Sequence, residues 1–330
     1  MNPERGGGVD GLDTSRAYIA VSPGVLMSVV EAVGSEYQAA NDGCAVFDGS
    51  EREQLRITGP EAASFLQGMF TNDVEALPAG GSCYAAMLTV KGSMVGDARI
   101  LKRENELVID TGPGRGATVK AFLEKYLISE DCELHDAPEL AVIGLVGPKS
   151  QEVAAKIPAD ARVGELVSMF GGVDVVVKRE QLAAVMEALG DVPRLSASTL
   201  EVLRVEKNVP LFGVDMTEVT IPLEANLDHA INYKKGCYIG QEVIARATYR
   251  GQMNKKLVQL LVGQAVPERK TELKQGERKV GWITSVVKSP KHGQHLALGY
   301  VHRDFLAPGT TFEMAGGAAS IPSPEETPLR

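Results

Sequence analysis

The densest group of chemically active side chains runs from Tyr233 to Gly251: Tyr233-Lys234-Lys235-Gly236-Cys237-Tyr238-Ile239-Gly240-Gln241-Glu242, then Arg246, Tyr249 and Arg250. Cys237 stands beside two lysines and just before a predicted helix N-terminus, both of which stabilise a thiolate. This placement suits a functional thiol, either redox-responsive or able to form a mixed disulfide; the plainer reading is a buried small apolar side chain. Gly236 and Gly240 bracket a turn, and Gln241 to Tyr249 follow as a helix whose first N–H groups are free for an anion. Between Tyr233 and Lys256 six basic residues (Lys234, Lys235, Arg246, Arg250, Lys255, Lys256) face one acid, Glu242, a local excess of five positive charges in a chain of net charge −9. The contrast points to an anionic ligand, with a solvated basic face as the alternative.

Two other patterns imitate sites. Gly112-Pro113-Gly114-Arg115-Gly116-Ala117 fits a dinucleotide-binding fingerprint between a strand and a helix, but Pro113 stiffens the loop and no ribose-binding acid follows on a strand end. His292-Gly293-Gln294-His295 has ligand-like spacing without a third ligand nearby, and reads as a solvated turn.

These residues need a scaffold. The spacing of Val25, Val29, Ala32 and Val33 predicts a helix over 25–41. Leu55-Arg56-Ile57 alternates as a strand, and Gly59-Pro60-Glu61 opens a helix with Pro60 at its first position. Strands follow at 84–88, 94–101 and 107–110, then a helix at 117–127, a strand at 140–146 and a strand–helix pair at 173–177 and 180–189. The unit strand, Gly-Pro, helix occurs twice, at Leu55–Pro60 and Ile143–Pro148, which predicts two similar ferredoxin-like α+β units or, alternatively, a chance recurrence of a common helix opening. After Arg250 short strands with turn residues predict a small all-β barrel or sandwich. The expected division is a flexible leader at 1–20, a two-unit α+β domain at 21–252, a barrel at 253–315 and a mobile tail at 316–330.

Composition is that of an ordinary soluble globular protein: 44% hydrophobic, 23% charged, 35 glycines. No apolar run approaches the roughly 18 residues of a membrane span, and the polar leader has no secretory core, so a cytoplasmic protein without membrane contact is expected. The four cysteines, Cys44, Cys83, Cys132 and Cys237, form no C-x-x-C pair and read as reduced thiols without a metal. The acidic balance argues against direct nucleic-acid binding.

Lys235-Gly236-Cys237-Tyr238-Ile239-Gly240-Gln241-Glu242 with Ala245-Arg246 and Arg250-Gly251 resembles the signature of the YgfZ family of folate-binding proteins, relatives of the glycine-cleavage T protein, an aminomethyltransferase. The likeness extends to Phe65-Leu66-Gln67-Gly68, Thr71-Asn72-Asp73-Val74, Arg204-Val205-Glu206, Pro210-Leu211-Phe212-Gly213, Pro222-Leu223-Glu224, Gly281-Trp282-Ile283-Thr284-Ser285 and Ala297-Leu298-Gly299-Tyr300.

The resemblance implies an α+β T-protein fold holding tetrahydrofolate or a one-carbon derivative, capped by the barrel. It further implies an accessory role in iron–sulfur protein maturation or repair and dependent tRNA modification, with iron–sulfur client proteins as partners rather than enzymatic turnover. A folate-dependent aminomethyltransferase is the alternative. A pterin edge calls for a carboxylate and a glutamate tail for cations. The implied ligands are Glu206 for the pterin, Lys235 with Arg246 or Arg250 for the tail, and Tyr84 and Tyr238 lining the slot. A salt bridge to Arg204 on the same face of a strand is the other reading of Glu206. One departure stands out. Aminomethyltransferases carry two consecutive aspartates where this chain has Gly96-Asp97, and the first of the two is their acid/base group. Asp97 is expected to reach the site only if the strand register shifts by one.

Overall fold

The computed structural model describes residues 30–31, 34–251 and 253–323; the predicted leader and residues 25–29 and 32–33 of the expected helix lie outside them, and that expectation is corrected at Val30–Glu31, a short strand drawn out by parallel pairing with the barrel strand 278–289, so that the helix runs only Gly34–Asp42. The first unit is a five-stranded antiparallel sheet in the order 82–88, 94–102, 106–111, 53–58, 133–136, covered by the helices Ala62–Met69 and Gly116–Glu124. The second is a four-stranded antiparallel sheet in the order 45–48, 140–146, 172–178, 162–167, covered by Ser150–Ala154 and Leu182–Leu189. Both match the ferredoxin-like order, and in the second the outer strand Ala45–Asp48 comes from earlier in the chain. The expected repeat is present in the backbone too. Gly59 and Gly147 sit at φ +111° and +122° at the two strand-to-helix corners, where a Cβ would meet backbone atoms 2.4 and 2.5 Å away.

Alternation along the strands decides which side chains reach the space between the units. On strand Met94–Lys102, Ala98 and Ile100 face the helices of their own unit. Leu101 faces the second sheet and packs with Val108, Leu140, Val142, Leu166 and Val176. Asp97 and Arg99 share the side of Leu101, and Arg99 crosses to Asp174 of the second unit in a buried ion pair. Gly164 permits the close approach: a Cβ there would lie 2.6 Å from Leu101.

The C-terminal part is a closed six-stranded barrel, 255–263, 294–302, 278–289, 272–275, 311–314 and 317–320, closed where Leu261 pairs with Ser320. The strand Gly317–Ser320 corrects the expected mobile tail from 316. Phe312 and Ala319 fill the barrel, and their burial requires the last strand to be in place.

Arg204 and Glu206, read from sequence as strand neighbours, belong instead to the helix Ala197–Glu206, capped by the Ser196 hydroxyl accepting from Thr199 N–H. This helix is wedged between two partners: Leu200 and Leu203 pack on the second unit, Val202 and Val205 on the barrel. Pro60 also precedes its helix, which starts at Ala62, rather than opening it. Beside the Ala197–Glu206 helix, Asp215 is fully buried and accepts from Arg204, from the Thr284 and Ser285 hydroxyls and from Leu211 N–H. Removing one partner of such a buried pair typically costs about 3–5 kcal/mol. Asp215→Ala is therefore expected to lower the unfolding free energy by about that amount, measurable as a drop in the urea midpoint.

Candidate functional site

The inward residues of the first sheet, the loop carrying Met169 and Phe170, and the Ala197–Glu206 helix with its following loop enclose a cavity. Its polar wall is Asp97, Tyr84, Arg52, Arg99 and Arg204; its apolar wall includes Phe170, Leu200 and Leu211. Asp97 reaches this space because it faces inward with Tyr84, whose hydroxyl donates to Asp97 Oδ2 at 2.8 Å. A side chain at position 96 would point the other way, with its Cβ 3.7 Å from Val119 and 3.9 Å from Arg115 Nη2. The expectation that Asp97 needs a register shift is thus corrected: the strand as paired already presents residue 97, and the missing carboxylate at 96 belongs to the opposite face.

Burial pushes the Asp97 carboxyl above the usual carboxylate range, and the Tyr84 hydrogen bond, Arg52 and Arg115 only partly offset this. Tyr84 is raised as well, by burial first and by the neighbouring Asp97 next. The guanidiniums behind them are committed to buried carboxylates. Arg52 and Arg99 both bind Asp110, whose charge survives burial because these two cations outweigh it. Arg204 directs five donor contacts at Glu201, Asp215, Ser285 and the Val209 carbonyl. Asp97 and Tyr84 thus form a hydrogen-bonded pair of acids on the cavity wall.

Other residues singled out from sequence fall elsewhere. Glu206 does not line the cavity, although Arg204 before it and Val209 after it do, and it is held by the Tyr37 hydroxyl at 2.7 Å, the Ser289 hydroxyl and Lys291 N–H. Its salt bridge to Arg204 is absent, since residues two apart on a helix diverge. Lys235 is buried, and its ammonium donates to the carbonyls of Gln67 (2.5 Å), Phe70 (2.6 Å) and Asn72 (2.9 Å). An ammonium has three donors, so none is left for a ligand carboxylate. Burial lowers its pKa to about 8. Tyr238 is a packing plug: its ring, 5.1 Å from the Lys235 ammonium, sits in the cluster with Leu88 and Met94. Arg246 is exposed and paired with Glu242, and the Arg250 side chain lies outside the described residues.

The first N–H of the helix after Gly112–Arg115 is already taken by the Glu53 carboxylate, and among the described residues no group of three metal-ligating side chains occurs. Sequence reading missed Arg52, Arg99, Phe170, Leu200 and Leu211. The signal for Arg99 was available, as an arginine inside an otherwise apolar strand must be paired across a buried interface.

Cys237 is exposed, whereas Cys44 is buried and Cys83 and Cys132 are partly covered. Burial pushes Cys44 up to about 11 and Cys83 up to about 12, and burial with nearby acids raises Cys132. Under a thiol reagent near neutral pH, Cys237 is expected to react first, by at least tenfold in rate; mass mapping of early adducts checks this.

Comparison with known proteins places these features. The GCVT N-terminal domain model matches residues 9–171, and the glycine cleavage T-protein C-terminal barrel domain model matches residues 255–322. A protein of Symbiobacterium thermophilum named aminomethyltransferase is 28% identical over 87% of this chain and 85% of its own length. One of Bacillus cytotoxicus with the same name is 24% identical over 86% and 85%. The crystal structure of glycine cleavage system aminomethyltransferase T from Bartonella henselae superposes with a TM-score of 0.77 at 21% identity, covering 88% of each chain.

Proposed function

With both of its domains, this chain belongs to the glycine cleavage T-protein family, and we propose that it is a folate-dependent one-carbon transferase of the aminomethyltransferase class, with Asp97 as its proton-handling group. The observation that carries this reading is the Asp97–Tyr84 pair facing a cavity walled on one side by apolar side chains. Phe170, Leu200 and Leu211 would line the faces of a flat heterocycle held here, and Asp97 would meet its polar edge. A bound reduced folate supplies the nitrogen that accepts the one-carbon unit.

The chain's residues do the rest. Tyr84 anchors the Asp97 carboxyl at Oδ2 and so orients it on the cavity wall. Burial, which raises its pKa above the ordinary carboxylate range, brings it closer to the pH at which it must both take and return a proton. The apolar wall limits water around the carbon in transit. The expected loss of a catalytic carboxylate at position 96 therefore does not weigh against transfer, and the leaning towards a non-enzymatic protein gives way to the aminomethyltransferases among its relatives.

A second reading is favoured by exposed Cys237: a reduced-folate binder whose thiol acts on iron–sulfur client proteins and, through them, on tRNA modification. It requires no turnover. The two separate in an assay for methylene-tetrahydrofolate and ammonia from an aminomethylated lipoyl carrier. The transferase reading expects turnover that Asp97→Asn lowers about 10²–10⁴-fold, with Cys237→Ser unaffected. The acid limb of the pH profile should lie above the ordinary carboxylate range, because the raised folded pKa leaves Asp97 protonated there. Folate binding without turnover, together with loss of client repair in Cys237→Ser, would favour the second reading.

A further inference from the structure

The Lys-Gly-Cys-Tyr segment lies far along the chain from the cavity residues, yet a short series of contacts joins them. Lys235 Nζ donates to the Asn72 carbonyl at 2.9 Å. The Asn72 side-chain amide donates to the Tyr84 carbonyl at 2.9 Å and to the His229 carbonyl at 3.4 Å. The His229 ring stacks on the Tyr84 ring, with centroids 5.5 Å apart and planes inclined by 20°. Tyr84 then donates its hydroxyl to Asp97.

We infer that Asn72 and Lys235 are positioning residues for the Tyr84–Asp97 pair: Lys235 fixes the backbone at Asn72, and Asn72 clamps Tyr84 and its stacking partner His229 in one orientation. The segment that the sequence marks as a ligand site thus acts on the cavity through Tyr84, without touching a ligand. The local stitching supports this. Asn232 Oδ1 receives Lys234 and Lys235 N–H, Asn232 N–H goes to the Thr71 carbonyl, and Thr71 Oγ1 donates to the Ala230 carbonyl at 2.6 Å. Residues 230–235 are thereby tied to residues 70–72, which meet strand 82–88 through Phe70 opposite Met87, through Thr71 N–H on the Ala86 carbonyl and Ala86 N–H on Thr71 Oγ1, and through the Asn72 amide, the contact that reaches Tyr84. Asn72 Oδ1 is itself held by Asp73 N–H at 2.9 Å, which sets the direction of the amide.

The charged and titratable groups around Asp97 are Tyr84 on the adjacent strand, Arg99 on its own strand, Arg52 ahead of strand 53–58, Arg115 from the loop before helix 116–124 and Arg204 from helix 197–206. His229 faces Tyr84 from outside. The tyrosine hydroxyl stabilises the ionised form of Asp97, so displacing it should raise the Asp97 midpoint. An Asn72 variant that lets Tyr84 drift should do the same, and nothing more once the hydroxyl is gone.

The inference rests on the reading of Asp97 as the proton-handling group, but its readout need not involve activity. The test is a carbon-13 NMR titration of the Asp97 carboxyl in the full ligand-free chain. Tyr84→Phe is expected to raise the midpoint by about one pH unit. Asn72→Ala should raise it by at least half of that shift, and the Asn72→Ala/Tyr84→Phe double variant should match Tyr84→Phe alone. Lys235→Met should shift it in the same direction, and if that variant does not fold, Asn72→Ala and the milder Asn72→Ser carry the test. An unmoved midpoint in the Asn72 variants, or shifts that add in the double variant, would overturn the inference while leaving the transferase reading standing. A coupled shift in a protein without transfer activity would uphold the inference and remove the transferase reading.

Discussion

Arg204 is the interaction on which the rest of the architecture depends. Its five N–H donors reach Glu201 one turn back on its own helix, Asp215 and the Val209 carbonyl in the loop that follows, and Ser285 on a barrel strand. One guanidinium thus joins helix, loop and barrel, and Arg204 also lines the cavity. Burial opposes its charge, but Asp215 and Glu201 hold it above the usual arginine range. Such a centre contributes little net stability compared with an apolar one, yet losing any member leaves an uncompensated charge inside. What it fixes is geometry: the helix cannot rotate without breaking contacts in three places.

The same logic separates ties from ligands across the site. Arg99 and Arg52 share Asp110, Arg99 also reaches Asp174, and Lys235 spends its ammonium on three carbonyls. Each is a cation near a cavity or a signature motif, and each is consumed by the fold. Asp97 differs in having one oxygen anchored and a cavity in front of it, which is why the chemistry is assigned there rather than to the basic segment around Cys237.

Much of this was legible in the sequence. Strands near 84–88 and 94–101, the two Gly-Pro corners and the β-rich end follow from alternation and from glycines at forced backbone angles. The helix 197–206 was misread because it is sandwiched between the second unit and the barrel, so apolar residues occur on both sides and its 3.6-residue period is masked. Glu206 was misplaced along with it. The facing of Gly96 and Asp97 could not be read locally either, since it depends on which side of the first sheet the second unit covers. Lys235 looked like a ligand because a lysine beside Lys234 at the start of a glycine-bracketed turn reads as exposed, and only the packed chain shows three carbonyls converging on it. The final strand escaped because Gly316-Gly317-Ala318-Ala319-Ser320 carries little β-propensity and is recruited by barrel closure.

The most direct measurement of the central claim is a crystal structure of the reduced protein with tetrahydrofolate. The account predicts the pterin or its bridge nitrogen within hydrogen-bonding distance of the Asp97 carboxyl, its ring against Phe170, Leu200 and Leu211, and Glu206 and Lys235 unmoved in their present contacts. Folate seated instead on Glu206, or along the basic helix 241–250 with the Asp97 cavity unfilled, would contradict it.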